Sequence, residues 1–159
     1  MSHYMFDQLH FVRKNTLKLV AGLSDEQSEM ILEGMNNHIK WNLGHLYFVM
    51  ERNAFHFIGE EMLLPDHYEE LYRPGSKPGN EPYPVPTLEE ITGLLGGQTQ
   101  RIETRLGNRL QEKAIQPYTT SSGLLLTTLE EFLNFCLYHE GMHFEKIKWI
   151  CKRIREQQE

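Results

Sequence analysis

The sequence has little of what several large classes of protein require. No apolar run comes near the roughly 18 residues of a membrane span. The formal net charge of -6 and the pI of about 5.8 argue against nucleic-acid binding, because phosphate contacts need clustered Lys and Arg. Charged residues interrupt the N-terminal segment, where a signal peptide needs an apolar core: Asp7, Arg13, Lys14 and Lys18. We therefore expect a cytoplasmic protein that binds neither nucleic acid nor membranes.

Cysteine is also scarce, and the two cysteines are badly placed for a disulfide. Cys136 and Cys151 fall in one predicted helix, fifteen residues apart. At a rise of ~1.5 Å per residue they would lie ~22 Å apart, which is beyond the reach of a disulfide bond. We expect two reduced, mostly buried thiols.

The length and composition are those of one globular domain. With 159 residues, of which 40% are hydrophobic and 24% charged, the chain is long enough to bury a core. A second domain is not expected at this length, and no internal repeat or low-complexity tract is visible. We expect residues 1–159 to form a single domain.

Proline is nearly absent outside one stretch of the chain. Six of the seven prolines lie between Pro65 and Pro86, together with Gly75 and Gly79. Such a stretch is not expected to sustain a helix, and it offers little strand alternation. The sequence therefore predicts a long, ordered crossing loop here.

Four other segments have apolar residues at the spacings of three and four that are typical of amphipathic helices. The predicted helices cover residues 4–21, 36–59 and 87–110, and the last begins at residue 128. Thr87 with Glu90, and Thr128 with Glu131, are capping boxes that mark two of the starts. Because no strand pattern competes, we predict an all-α fold, a four-helix bundle with a long crossover loop between helices 2 and 3.

Two histidines lie within the apolar stripe of the last predicted helix. The stripe steps by three and four residues through Phe132, Cys136, His139, His143, Ile147, Ile150 and Ile154. Histidines at i and i+4 share one helix face, with Cβ atoms roughly 6 Å apart, so both imidazoles can bind one metal ion. The alternative is two neutral core histidines, each hydrogen-bonded to a neighbouring helix, which is much rarer for a stacked pair. We interpret His139 and His143 as metal ligands.

A metal site needs at least a third ligand, and His45 is the best candidate. It lies in the middle of the second predicted helix, on the edge of the apolar stripe, whereas His38 and His56 are two and three turns away. Three neutral histidines leave a fourth position open for water or substrate, as expected of a catalytic site. This arrangement favours an enzyme.

The segment from His139 to His143 also matches two other metal motifs. As H-E-x-x-H it has the pattern of a metalloprotease helix, in which the Glu is the general base. Only sixteen residues follow His143, and they continue the helix, so no downstream segment can return a third ligand. Glu140 with His143 gives one E-x-x-H, but a di-iron bundle needs a second such pair. We therefore disfavour both a protease and a di-iron protein.

Three segments carry a family resemblance that covers nearly the whole chain. They are Asn37–Leu46, with Trp41 a turn before His45, then the loop from Tyr72–Ser76 to Pro86–Thr87, and Leu137–His143. Together they resemble the DinB/YfiT-like family of metal-binding four-helix bundles, and the order of the three histidines agrees. The resemblance implies the ligand set His45, His139 and His143, which the residue spacing also favours.

The resemblance further implies a metal-dependent transferase that activates a low-molecular-weight thiol, such as bacillithiol or mycothiol, for attack on an electrophilic small molecule. Homodimers are frequent in the family. Three imidazoles and water suit zinc, nickel or iron. Glu140 is the candidate catalytic residue, as an orienting group or a proton acceptor. Two alternatives stay open: a metal-dependent hydrolase of small molecules, and a non-catalytic, dimeric metal-binding bundle.

Overall fold

The predicted helices form the body of the structure. The computed structural model describes residues 3–79 and 81–157. The α-helices are α1 (Tyr4–Val20), α2 (Asp25–Ser28), α3 (Ile39–Ala54), α4 (Tyr68–Tyr72), α5 (Leu88–Leu106) and α6 (Leu129–Glu156). A turn of 3-10 helix, His56–Ile58, follows α3, and two strands, β1 (Lys113–Thr119) and β2 (Leu125–Thr128), precede α6. The chain is mostly helical, as predicted.

Both predicted capping boxes are present at the starts of long helices. The side chain of Thr87 accepts a hydrogen bond from the backbone of Glu90, whose own side chain accepts one from the backbone of Thr87. Thr128 and Glu131 make the same reciprocal pair at α6. Each box satisfies two backbone N–H groups that have no partner within the helix, which fixes where α5 and α6 begin.

The central helix α3 starts later and is more deeply buried than predicted. His38 caps it, since its Nδ1 accepts a hydrogen bond of 2.9 Å from the backbone N–H of Trp41. Nearly every residue of α3 is buried, so the helix has no solvated face. Even Lys40 is covered, with its ammonium group 3.0 Å from the carboxylate of Asp25. The apolar pattern had indicated only one buried stripe.

The all-α prediction is wrong for the segment between α5 and α6. β1 and β2 form an antiparallel pair in which Tyr118 lies opposite Leu126. Most positions of β1 are exposed, so no regular alternation of apolar and polar residues marks the strand in the sequence. Thr128 both ends β2 and caps α6, so the hairpin is joined directly to the helix that carries the paired histidines.

The proline-rich crossover contains a short helix that the sequence was not expected to form. Three of the five residues of α4 are buried: Tyr68, Leu71 and Tyr72. This burial stabilises one turn of helix in a stretch that is otherwise unsuited to helix. α4 packs against α3. The two helices are in close contact at Gly44, where an added Cβ would overlap the ring of Tyr72.

A buried chain of hydrogen bonds connects the four long helices. α1 and α3 each pack against both α5 and α6. Arg13 of α1 pairs with Glu140 of α6 and donates from Nη1 to the side chain of Gln98 in α5 at 3.0 Å. Gln98 in turn donates to the carboxylate of Glu51 in α3 at 2.9 Å. Such a network specifies one packing of the helices, because any other packing would leave buried polar groups without partners.

Two further expectations concern the cysteines and membranes. Cys136 and Cys151 are free and buried, as predicted. Burial raises the pKa of the Cys136 thiol to about 12, so it stays protonated at neutral pH. Over residues 3–79 and 81–157, no helix has the length and apolar character needed to cross a membrane.

Candidate metal centre

The three histidines singled out from the sequence converge on one point between α3 and α6. One ligand nitrogen from each of His45, His139 and His143 lies within 4.8 Å of the other two. Nε2 of His45 is 3.2 Å from Nε2 of His139. Two nitrogens bound to one tetrahedral zinc at ~2.0–2.1 Å would be ~3.3 Å apart. The cluster therefore has a spacing that could hold a metal ion.

A backbone carbonyl of the crossover fixes the proton position on His45. Nδ1 of His45 lies 2.7 Å from the carbonyl oxygen of Tyr72. Since a carbonyl only accepts hydrogen bonds, Nδ1 is the protonated nitrogen, and Nε2 keeps its lone pair for a metal. Trp41 stacks on the imidazole, with ring centres 4.7 Å apart and planes inclined by 12°. The ring of His45 is therefore held in both orientation and tautomer.

A chain of donors and acceptors fixes His143 in the same way. The amide nitrogen of Asn42 donates to the backbone carbonyl of His38 at 2.8 Å, which leaves the amide oxygen facing the cluster. That oxygen lies 2.8 Å from Nδ1 of His143. Nδ1 must then donate, so Nε2 of His143 also has a free lone pair. Asn42 is fully buried, and water does not compete for this contact.

Burial keeps all three imidazoles neutral. It lowers the pKa of His45 to about 4, with smaller contributions from the positive charges of Arg52 and Lys146. Burial likewise lowers the pKa of His139 to about 2, and His143 and His45 lower it further. Burial lowers the pKa of His143 to about 3, with further lowering by His45 and Lys146. Neutral imidazole is the form that binds metals, so the donor set is ready at neutral pH.

One side of the cluster opens into a cavity of about 370 Å³. His45 and His139 form part of its wall, and Arg52 lies on the same wall, two turns beyond His45 in α3. The β-hairpin supplies Tyr118 and Thr120 on another side. Larger cavities of about 590 and 630 Å³ lie elsewhere, but none of the three histidines lines them. Volume alone therefore does not identify the site.

Glu140 lies away from the histidine cluster. It is 1% exposed and is held by α1: Arg13 donates to it from Nε at 2.9 Å and from Nη2 at 3.0 Å, and Thr16 donates at 3.1 Å. Its hydrogen bonds within the described part of the chain all run to these two residues. The side chain therefore points at α1, whereas His139 and His143 point at α3.

Several residues of the site were not predicted from the sequence. Tyr72 contributes a main-chain oxygen, which no sequence pattern can reveal, and Asn42 contacts His143 across a sequence separation of 101 residues. Arg52 did carry a signal, because it lies seven residues after His45 and therefore on the same helix face. His38 is the cap of α3 and His56 is exposed, so neither joins the cluster, as expected.

The comparison with protein families agrees with this geometry. The model of the DinB superfamily matches residues 8–147, a span that includes all three histidines of the cluster. No curated protein matches the chain. The family match and the histidine cluster together fit a metal-binding protein.

Proposed function

The chain belongs to the DinB superfamily, and we propose that it is a metal-dependent transferase that activates a low-molecular-weight thiol for attack on an electrophilic small molecule. The observation that carries the proposal is the convergence of three neutral histidines on one point beside an open cavity. Such a set leaves one coordination position free, which a purely structural site would close with a fourth protein ligand.

The ligands of this proposed site are His45, His139 and His143, and zinc, nickel or iron would suit them. A divalent ion supplies a Lewis acid that lowers the pKa of a thiol or a water molecule bound to it. The protein contributes orientation. Tyr72 and Asn42 hold the Nδ1 protons of His45 and His143, so that both Nε2 atoms face the same point.

The proposed reaction is a substitution at carbon. The thiol releases its proton to solvent water, its sulfur forms a bond to the electrophilic carbon, and the leaving group departs into solvent with the electrons of the bond that breaks. The cavity of about 370 Å³ is at the lower end of the ~300–1,000 Å³ typical of small-molecule sites. We therefore propose a substrate of metabolite size rather than a polymer.

We assign Glu140 a structural role in place of a catalytic one. Proton transfer would require its carboxylate to reach the substrate or a ligand, but both oxygens are occupied by Arg13 and Thr16. In this position the carboxylate aligns α6 against α1, and so sets where the paired histidines project.

Other properties are proposed on the family resemblance and the sequence. In this proposal the four long helices form a single-domain four-helix bundle, with the crossover loop between its second and third helices. The protein acts as a homodimer in the cytoplasm. Light scattering of the purified protein tests the dimer directly, since a monomer and a dimer of an 18.7 kDa chain differ twofold in mass.

The proposed activity is tested by turnover. Metal-loaded protein is mixed with 1-chloro-2,4-dinitrobenzene and a panel of thiols that includes bacillithiol, glutathione and cysteine, and arylation is followed by absorbance. We expect thiol consumption above the uncatalysed rate with at least one thiol, and none above it with His139→Ala. Equal rates with and without the wild-type protein across the panel would contradict the transferase.

The two alternative functions have distinct outcomes in the same experiment. A hydrolase would release p-nitrophenol from p-nitrophenyl acetate without any thiol, and this release would be lost in His139→Ala. A non-catalytic metal-binding protein would bind the ion and leave both reagents unchanged. Each result would replace the transferase proposal.

A further inference from the structure

Arg52 lines the cavity beside the histidine cluster, and no acidic residue in the described part of the chain pairs with it. It belongs to the last turn of α3, three residues after Val49 and seven after His45, and all three line the same cavity. The described residues offer it no ion pair and no hydrogen bond, and its Nε is buried without a partner.

Three other arginines in the described part of the chain are paired with carboxylates. Arg13 is bound by Glu140, Arg101 by Glu51 at 2.6 Å, and Arg109 by Glu60 and Glu112. A guanidinium with five donors is normally matched by carboxylate or phosphate oxygens when it is withdrawn from water. Arg52 departs from the pattern that this protein follows elsewhere.

Aromatic rings hold the guanidinium of Arg52 in place of a carboxylate. Its central carbon is 5.5 Å from the ring centre of Tyr118, 5.7 Å from that of Phe57 and 5.9 Å from that of Phe48. These cation–π contacts orient the group, but they leave its N–H donors unsatisfied. An oriented cation with free donors is what a binding site for an anion requires.

The surroundings are electropositive although the whole chain carries a net charge of -6. No Asp or Glu is among the described residues that line the cavity, and the three histidines add no negative charge. A divalent ion at the cluster would add two positive charges on the same wall. Thr120, Ser121 and Ser122 also line the cavity, and the hydroxyl of Thr120 is already bonded to that of Ser122 and to the backbone N–H of Leu124.

We propose that Arg52 binds a carboxylate of the molecule that occupies this cavity, so that the thiol substrate of the proposed transferase is an acid. That the bound molecule is a thiol rests on the proposed function. That it is an anion rests on Arg52 and its surroundings alone. The carboxylate and the sulfur lie on the same small molecule, because Arg52 and His45 line one cavity of about 370 Å³.

The test compares acids with neutral molecules of the same shape. Isothermal titration calorimetry measures the binding of 3-mercaptopropionate and of 3-mercaptopropanamide to zinc-loaded protein. We expect the wild type to bind the acid roughly tenfold to a hundredfold more tightly than the amide. The acid can accept a bidentate, charge-assisted hydrogen bond from the guanidinium, whereas the amide can accept only a neutral one. Arg52→Gln should abolish the preference, and Arg52→Lys should keep part of it.

Arg73→Gln is the matched control. Arg73 is exposed and precedes Pro74, which lines the cavity, so this variant removes an equal charge close to the site without touching the guanidinium in question. The acid preference should stay at its wild-type value in Arg73→Gln. Equal preferences in the wild type and Arg52→Gln would overturn the assignment, as would a wild type that prefers the amide.

A second pair of probes without sulfur separates this inference from the proposed function. Succinate and succinamide are titrated into the same proteins. If neither thiol binds but succinate binds the wild type and not Arg52→Gln, the thiol chemistry fails and the anion site stands. If succinate and succinamide bind alike in both proteins, the anion site fails whatever the thiols do.

Discussion

The side-chain oxygen of Asn42 lies 2.8 Å from Nδ1 of His143, and this contact connects the two helices that carry the histidine cluster. Asn42 is one turn before His45 in α3, so a single helix turn supplies both a ligand and the group that orients another ligand from α6. Loss of the contact would free the imidazole of His143 to rotate and to exchange tautomers.

Removing that oxygen should weaken metal binding. We expect Asn42→Ala to lower metal affinity by ~10-fold to 100-fold, as measured by competition with a chromophoric chelator. Asn42→Asp, like Asn42→Ala, loses the hydrogen bond that the amide nitrogen donates to the carbonyl of His38, but it keeps an oxygen facing His143. Its metal affinity should stay within a few-fold of the wild type. If both variants lose affinity equally, the contact to His143 contributes nothing and the loss comes from the helix start.

Removing a ligand should remove the metal. Elemental analysis of the wild-type protein is expected to give roughly one divalent ion per chain, and His45→Ala, His139→Ala and His143→Ala should each lose it. His56→Ala serves as the control, because His56 is exposed and outside the cluster. Full metal occupancy in His139→Ala would refute the ligand assignment.

Gly44 should not tolerate a side chain. A methyl group at Gly44 would overlap the ring of Tyr72, so Gly44→Ala is expected to destabilise the fold by ~1–3 kcal/mol in urea unfolding. The carbonyl of Tyr72 orients His45, so metal affinity should fall as well. Gly93→Ala is the matched control. Gly93 is also helical but has open space at its Cβ, and alanine there should stabilise the helix by ~0.5–1 kcal/mol.

Neutralising Glu140 should destabilise the fold rather than abolish the proposed reaction. Glu140→Gln leaves the guanidinium of Arg13 buried and unpaired, and we expect a loss of ~3–5 kcal/mol of unfolding free energy. Replacing both partners with Arg13→Met and Glu140→Leu should recover most of it. A Glu140→Gln protein that is as stable as the wild type yet inactive with every thiol would instead assign the carboxylate to proton transfer.

The cap of α3 should make the fold sensitive to acid. Burial lowers the pKa of His38 below its usual 6.5, with Lys40 acting in the same direction and Glu29 and Glu81 against it. The unfolded chain therefore binds the proton more readily, so the stability that His38 confers is complete above pH 6.5 and is lost as the pH falls through the folded pKa.

The variant His38→Asn isolates this effect. Asparagine keeps a side-chain oxygen that can accept from the backbone of Trp41, but it does not titrate. In urea unfolding between pH 7.5 and pH 5, the wild type should lose stability relative to His38→Asn as the pH falls. A constant difference over this range would show that His38 does not titrate with folding.

Features set by short stretches of sequence were predictable. The spacing of four places His139 and His143 on one helix face, because the geometry of a helix depends only on neighbouring residues. The pairs Thr87 with Glu90 and Thr128 with Glu131 marked two helix starts for the same reason. The sequence by itself thus determined the mostly helical chain and two thirds of the candidate site, and it favoured His45 as the remainder.

The tertiary structure decided whatever depends on segments far apart in the chain. The 3.2 Å approach of His45 to His139, the carbonyl that Tyr72 turns toward α3 and the exposed strand β1 all arise from packing that no local pattern encodes. The charges were decided in the same way. Glu140 has a buried partner in Arg13, whereas Arg52 has none among residues 3–79 and 81–157. Whether a charge is neutralised depends on every side chain that packing brings to it.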